Sequence, residues 1–186
     1  MYHLTAALLT ATAALAAPSG ISDQNTCKSK STKVTSLLVK DFDFHASYTF
    51  STPAHQIAGG FVNFTLANPV LDYELRCSAS SGQLTDFFYG TMNYNCTDEQ
   101  TGKQTQQGTF SYSRPTNEIA VNQTWRCPEQ SIFWAQGMAK LNLSCHETNY
   151  QNPNWTMGQI YSNRVITCDR HTQPVPLTSL RAIAEA

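Results

Sequence analysis

The apolar residues of this chain recur at every second position far more often than at every third or fourth. Leu71, Tyr73, Leu75 and Cys77 fall on one side of an extended segment, with Asp72, Glu74 and Arg76 on the other, as in a strand with one buried face. Shorter runs of the same kind occur at 34–39, at Phe42 and Phe44, at Tyr48 and Phe50 and at 61–66, with breaks expected at Pro53 and at Gly59-Gly60. A turn at Ser80-Ser81-Gly82 should feed a strand over 84–94, and the polar stretch 97–108, which has no apolar residue, reads as an exposed loop. Strands are expected again over 109–113, 118–125, 132–145 and 159–168, separated by Pro115-Thr116-Asn117, Pro128 and Asn152-Pro153-Asn154. A helical period emerges only at 177–186, so a short C-terminal helix is expected after Pro174 and Pro176. Short strands at regular spacing, without a repeat, predict an all-β fold: a single compact antiparallel β-barrel or sandwich.

The first 16 residues break this pattern. Leu4 to Leu15 is an apolar run followed by small residues, with Ala14 and Ala16 fitting a small-x-small cleavage site, the layout of a secretory signal and too short for a bilayer span. The expected organisation is a signal peptide over 1–16, an N-terminal segment over 17–33, the β-barrel domain over 34–168 and a C-terminal tail over 169–186. About 170 residues then remain to fold, one domain's worth. No other stretch is apolar enough to cross a membrane, and an extracellular location is expected. Five sequons fit export: Asn63, Asn122, Asn142 and Asn154 are the expected glycosylation sites, Asn154 first among them, whereas Asn95 is set aside because Cys96 should enter a disulfide early.

Charged residues are only 13% of the chain and the formal net charge is −1, whereas about a quarter charged is usual. Solubility must rest on amides, hydroxyls and attached sugar. The 12 cations are scattered, with Lys28, Lys30 and Lys33 the one short run, which argues against a nucleic-acid partner.

Six cysteines, Cys27, Cys77, Cys96, Cys127, Cys145 and Cys168, in an exported chain imply three disulfides, with every connectivity open at this point. No pair has the spacing of a zinc or redox motif. His45, His55, His146 and His171 share no ligand spacing, so no metal and no cofactor is expected. Carboxylate pairs suited to glycoside hydrolysis occur at Asp41 with Asp43 and at Asp72 with Glu74. Strand alternation produces such pairs freely, and a solvent-facing edge explains them better than a catalytic dyad. No nucleophile elbow or phosphate loop is present, so the reading is not an enzyme. The aromatics are the better lead: Trp125, Trp134 and Trp155 join eight Tyr and nine Phe. Most Phe should be core, while exposed rings on a low-charge sheet suit sugars or flat phenolics.

Val39-Lys40-Asp41-Phe42-Asp43-Phe44, then Phe61-Val62-Asn63-Phe64-Thr65-Leu66-Ala67-Asn68 and Leu75-Arg76-Cys77-Ser78-Ala79, resemble the first half of the Alternaria major-allergen family of fungal secreted proteins. Thr109-Phe110-Ser111-Tyr112 and Phe133-Trp134-Ala135-Gln136-Gly137-Met138-Ala139 resemble its second half. The resemblance, spanning roughly 34–145, implies a secreted or spore-associated β-barrel without known enzymatic chemistry, often a homodimer. It also implies allergen-like and effector-like roles, eliciting host defence by binding a host defence protein or a small aromatic molecule. Cys77 and Cys96 match the family's first disulfide. Cys127 matches one partner of the second, whose other position holds Ala135, so the resemblance implies a bond moved to Cys145, with Cys27 and Cys168 the remaining pair. Where Cys27 stands instead for the family's intersubunit cysteine, Cys168 takes another partner. The rival expectation is a carbohydrate-binding or cell-wall-acting protein, including a glycoside hydrolase.

Overall fold

The computed structural model describes residues 26–98 and 104–184; the expected signal segment lies outside the described residues. Among the described residues, ten strands form one antiparallel sheet: β1 (Ser36–Thr52), β2 (His55–Ala67), β3 (Glu74–Ser81), β4 (Tyr94–Asp98), β5 (Gln104–Ser113), β6 (Glu118–Cys127), β7 (Ser131–Lys140), β8 (Cys145–Gln151), β9 (Ser162–Cys168) and β10 (His171–Ala184). Strands β1 to β7 are neighbours in chain order, and β10 pairs with both β7 and β1, so eight strands close into a barrel. β9 and β8 extend the sheet beyond β1 as a two-stranded wing. A short helix, α1 (Cys27–Ser31), starts at Thr26, whose side chain accepts from the Ser29 N–H.

β1 organises the molecule. It pairs with β2 along one side; on the other it pairs with β10 as far as Phe42 and with β9 from His45 onward. A bulge marks the change of neighbour: Lys40 faces Thr65 but Asp43 faces Asn63, and Asp41 takes a φ of 53°. The sequence pattern requires it, because Leu37 and Val39 are buried at odd positions and Phe42 and Phe44 at even ones. One extra residue restores both pairs to the same face. Closure leaves an interior packed with rings, Phe42 against Tyr112 at 5.1 Å and Phe64 against Phe110 at 4.8 Å between centroids. A smaller core, Trp125 stacked on Phe133 with Ala135 and the Cys27–Cys127 disulfide, lies under α1.

Several expectations are corrected. Residues 177–184 form no helix: they belong to β10, so the barrel continues into the tail expected over 169–186, whose last two residues lie outside the described ones. The helix-favouring composition is overridden by two open strand edges, β1 for the first half of β10 and β7 for its second. Pro174 and Pro176 are tolerated because the odd residues of β10 bond to β1, as in Leu177 N–H to Thr35 O at 2.9 Å. The prolines' missing N–H groups therefore face the other side, before the pairing to β7 begins at Leu177. Gly59-Gly60 does not interrupt β2; Gly60 is there because a Cβ would lie 2.6 Å from the Phe87 ring. Residues 84–94 are mostly loop, since Phe87 and Phe88 are both buried, which a strand with alternate faces cannot supply. β4 and β5 reach Asp98 and Gln104, narrowing the expected loop, and β7 stops at Lys140, so 132–145 is not one strand.

All six cysteines are bonded. Cys77–Cys96 joins β3 to β4, as the resemblance implies. The other two pairings differ from expectation: Cys27–Cys127 ties α1 to the end of β6, and Cys145–Cys168 links β8 to β9. Cys145 was expected on the strand of Ala135; the break after Lys140 instead starts β8 there, where its register partner is Cys168.

Candidate functional site

Where the wing leaves the barrel it faces the rim, and a cleft of about 420 Å³ opens between them. Its floor comes from β1, whose even positions Phe44 and Tyr48 point to the inner face, and from Phe87 in the loop after β3. β9 adds Ile166 and Arg164, the register partners of Ala46 and Tyr48. β8 adds Glu147, paired with Ile166 and so diagonal to Arg164. Arg114 and Pro115 come from the turn between β5 and β6, and Thr85 and Asp86 complete the rim.

The polar groups form two clusters, one around Glu147 and one around Asn117. Glu147 accepts from Arg164 Nη2 at 2.7 Å and from Asn149 Nδ2 at 3.0 Å. The Arg164 bond, seconded by Asn149, holds the carboxyl down at about 2, and the same bond pushes the Arg164 guanidinium up. Arg164 sits over the Tyr48 ring and Arg114 over the Phe44 ring, at 5.2 and 5.0 Å to the centroids. Burial raises the Tyr48 phenol against the pull of Arg164. Arg114 donates to Asn117 Oδ1 at 2.8 Å, which also accepts from Tyr112; burial takes the Tyr112 phenol up to about 12.

The loop that closes the cleft is strained and tied down. Thr85 and Phe87 have φ of 80° and 67°, unusual for a β-branched and a bulky residue. The Tyr48 hydroxyl donates to Thr85 O, Ser81 Oγ to Phe87 O at 2.6 Å and the Tyr89 hydroxyl to Leu84 O at 2.6 Å. Two arginines lying over the buried rings of Phe44 and Tyr48 can hold a planar ring by stacking on their guanidinium groups and an attached acid by charge-assisted hydrogen bonds.

The residues singled out in the sequence lie elsewhere. Asp41 and Asp43 line a shallow outer groove with Arg76 and Arg170. Asp72 is exposed ahead of β3, and Glu74 is held by Lys40 at 2.8 Å. Trp125 is buried, its Nε1–H donating to Ser31 Oγ at 2.8 Å. Trp155 packs on Tyr161 in the loop of the wing, beside Asn154. Trp134 lies half-buried on the outer barrel wall with Gln136, Ser179, Arg181 and Ile183. Asn63, Asn142 and Asn154 are exposed and Asn122 is half-buried, donating to Thr109. Arg114, Arg164, Asp86 and Glu147 were not singled out; nothing in the local sequence around them marks them as a group.

The family model of the Alternaria alternata allergen 1 matches residues 39–168, from the first half of β1 to the end of β9. Two crystal structures of the Alternaria alternata major allergen Alt a 1 are similar to this chain. One is 12% identical and covers 82% of this chain and 97% of its own, with a TM-score of 0.38; the other is 15% identical and covers 74% and 88%, with a TM-score of 0.35. Among curated proteins, none matches the chain.

Proposed function

This chain belongs to the Alternaria alternata allergen 1 family, and on that premise we propose that it is a secreted, allergen-like and effector-like protein that acts stoichiometrically, by binding a small aromatic acid in the cleft between wing and barrel. The carrying observation is the pair of arginines laid over the rings of Tyr48 and Phe44. Of the two partners implied by the sequence resemblance, a host defence protein and a small aromatic molecule, a cleft of about 420 Å³ suits the second. Three disulfides with no free cysteine among the described residues fit an oxidising compartment, and supply the reason to read the leader as a secretion signal cut after Ala16.

The test is calorimetric titration of the secreted protein with 4-hydroxycinnamate and with an aliphatic carboxylate of equal charge. The aromatic acid should bind one to one, and Arg164→Gln should weaken it about tenfold or more, as expected for losing one charge-assisted bond. Equal affinity for the aliphatic acid would remove the aromatic floor from the explanation. A second reading, carbohydrate binding, is favoured by the open Trp134 shelf with Gln136 and Arg181; retention on chitin or glucan that Trp134→Ala abolishes would support it.

A further inference from the structure

On the outer face of β2, alternation places Phe61, Asn63 and Thr65 in one row, while Val62, Phe64 and Leu66 turn into the core. Asn63 and Thr65 are the first and third residues of a sequon, here set in the middle of a barrel strand. Phe61 is 46% exposed, two residues before the acceptor and on the same face. The other four sequons have Asn93, Ala120, Lys140 and Asn152 at that offset, so only Asn63 has an aromatic two residues before it.

The surroundings of the ring are asymmetric. His45, the β1 partner of Phe61, lies at 5.4 Å between centroids and 31° between planes, covering one side. On the other side β3 presents Ser80 beside Phe61 and Ser78 beside Asn63, and two serines leave space that larger side chains would fill. Ser78 Oγ donates to Asn63 Oδ1 at 2.8 Å, fixing the amide through its oxygen and not through the nitrogen to which a sugar is joined.

We propose that Asn63 carries an N-linked glycan whose first N-acetylglucosamine lies against Phe61, so that sugar and ring together cover the exposed apolar spot on β2. Attachment joins Asn63 Nδ2 to the anomeric carbon of a lipid-diphosphate-linked oligosaccharide; the bond from that carbon to the diphosphate oxygen breaks, lipid diphosphate leaves with the electron pair, and one amide proton is released. No redox partner is needed. The C–H face of the pyranose supplies apolar contact to the ring, whose π face is electron-rich. Offset two on a strand sets ring and sugar about 7 Å apart at their roots, within the reach of the first sugar residue.

The experiment uses protein secreted from a eukaryotic host, trimmed with an endoglycosidase that leaves one N-acetylglucosamine. Glycopeptide mass spectrometry should find Asn63 occupied, and proton NMR should show sugar resonances shifted upfield by the Phe61 ring. Thr65→Val, which removes the sequon but keeps the Asn63 to Ser78 bond, should lower Tm by about 2–4 °C; in a Phe61→Ser background the same change should leave Tm essentially unmoved. An unoccupied Asn63, sugar resonances at their free-peptide positions, or an equal Tm loss in both backgrounds would overturn the proposal. The NMR measurement needs no variant, so it decides even if a substituted chain fails to fold.

Discussion

The guanidinium carbon of Arg164 lies 5.2 Å from the centre of the Tyr48 ring, across the register pair that joins β9 to β1. That contact sits where the wing departs from the barrel, so one residue pair both fastens the added hairpin and forms a wall of the cleft. The same arginine holds Glu147 on β8, which makes the cleft's ionic frame a property of three adjacent strands.

The first expectation concerns pH. Glu147 is held at about 2, below its ordinary 4.5, chiefly by the Arg164 hydrogen bond. A depressed carboxyl stabilises the folded state above its unfolded value, and that contribution is lost as pH falls from about 4.5 through about 2. Carbon-detected NMR titration should give a Glu147 midpoint near 2, moving up toward 4.5 in Arg164→Gln. An unaltered midpoint in the variant would show that the pair is not formed in solution.

The disulfides should differ in weight. Cys27–Cys127 closes a separation of 100 residues and Cys145–Cys168 one of 23, corresponding to about 4.7 and about 3 kcal/mol in the chain-entropy model. Paired Cys→Ser changes at 27 and 127 should therefore lower the denaturation midpoint more than those at 145 and 168. Peptide mapping under non-reducing conditions checks the pairing itself.

Gly60→Ala should destabilise the barrel by about 1–3 kcal/mol. The new Cβ would meet the Phe87 ring at 2.6 Å, and that ring is held by a loop already tied at Thr85 and Phe87. Denaturant unfolding measures the loss. A companion Phe87→Ala change, which empties the space, should make the alanine at 60 nearly neutral.

Alternation alone carried much of the barrel. The runs at 34–39 and at Phe42 and Phe44 were read from the sequence as strand, but not the bulge at Asp41 between them, where β1 exchanges one neighbour for another, since it depends on strands far away in the chain. β10 was missed for a related reason: 177–186 has a helix-like local composition, and only the open edges of β1 and β7 make it a strand. The cleft was not legible. Its arginines come from the turn after β5 and from β9, and they meet over rings of β1 only through a register that no local pattern encodes. The swapped disulfides follow from the same limit: Cys127 lies opposite Ser131, at the other end of β7 from Cys145, and only the packing of α1 at that end brings Cys27 to it, while the β8–β9 register sets Cys145 opposite Cys168.

Ser31→Ala should cost about 1–3 kcal/mol. Ser31 is fully buried and accepts from the Trp125 indole at 2.8 Å, so its loss strands a buried donor and loosens α1 from the smaller core. Tryptophan fluorescence should shift to the red as water reaches Trp125, with a lower Tm.

The most direct test of the binding account is a nitrogen-15 NMR map of the secreted protein titrated with 4-hydroxycinnamate. The account predicts shifts clustered at Phe44 and Tyr48, at Thr85 to Phe87, at Arg114 and at Glu147, Arg164 and Ile166. Shifts confined to the Trp134, Gln136 and Arg181 shelf, or no shifts at saturating ligand, would contradict it.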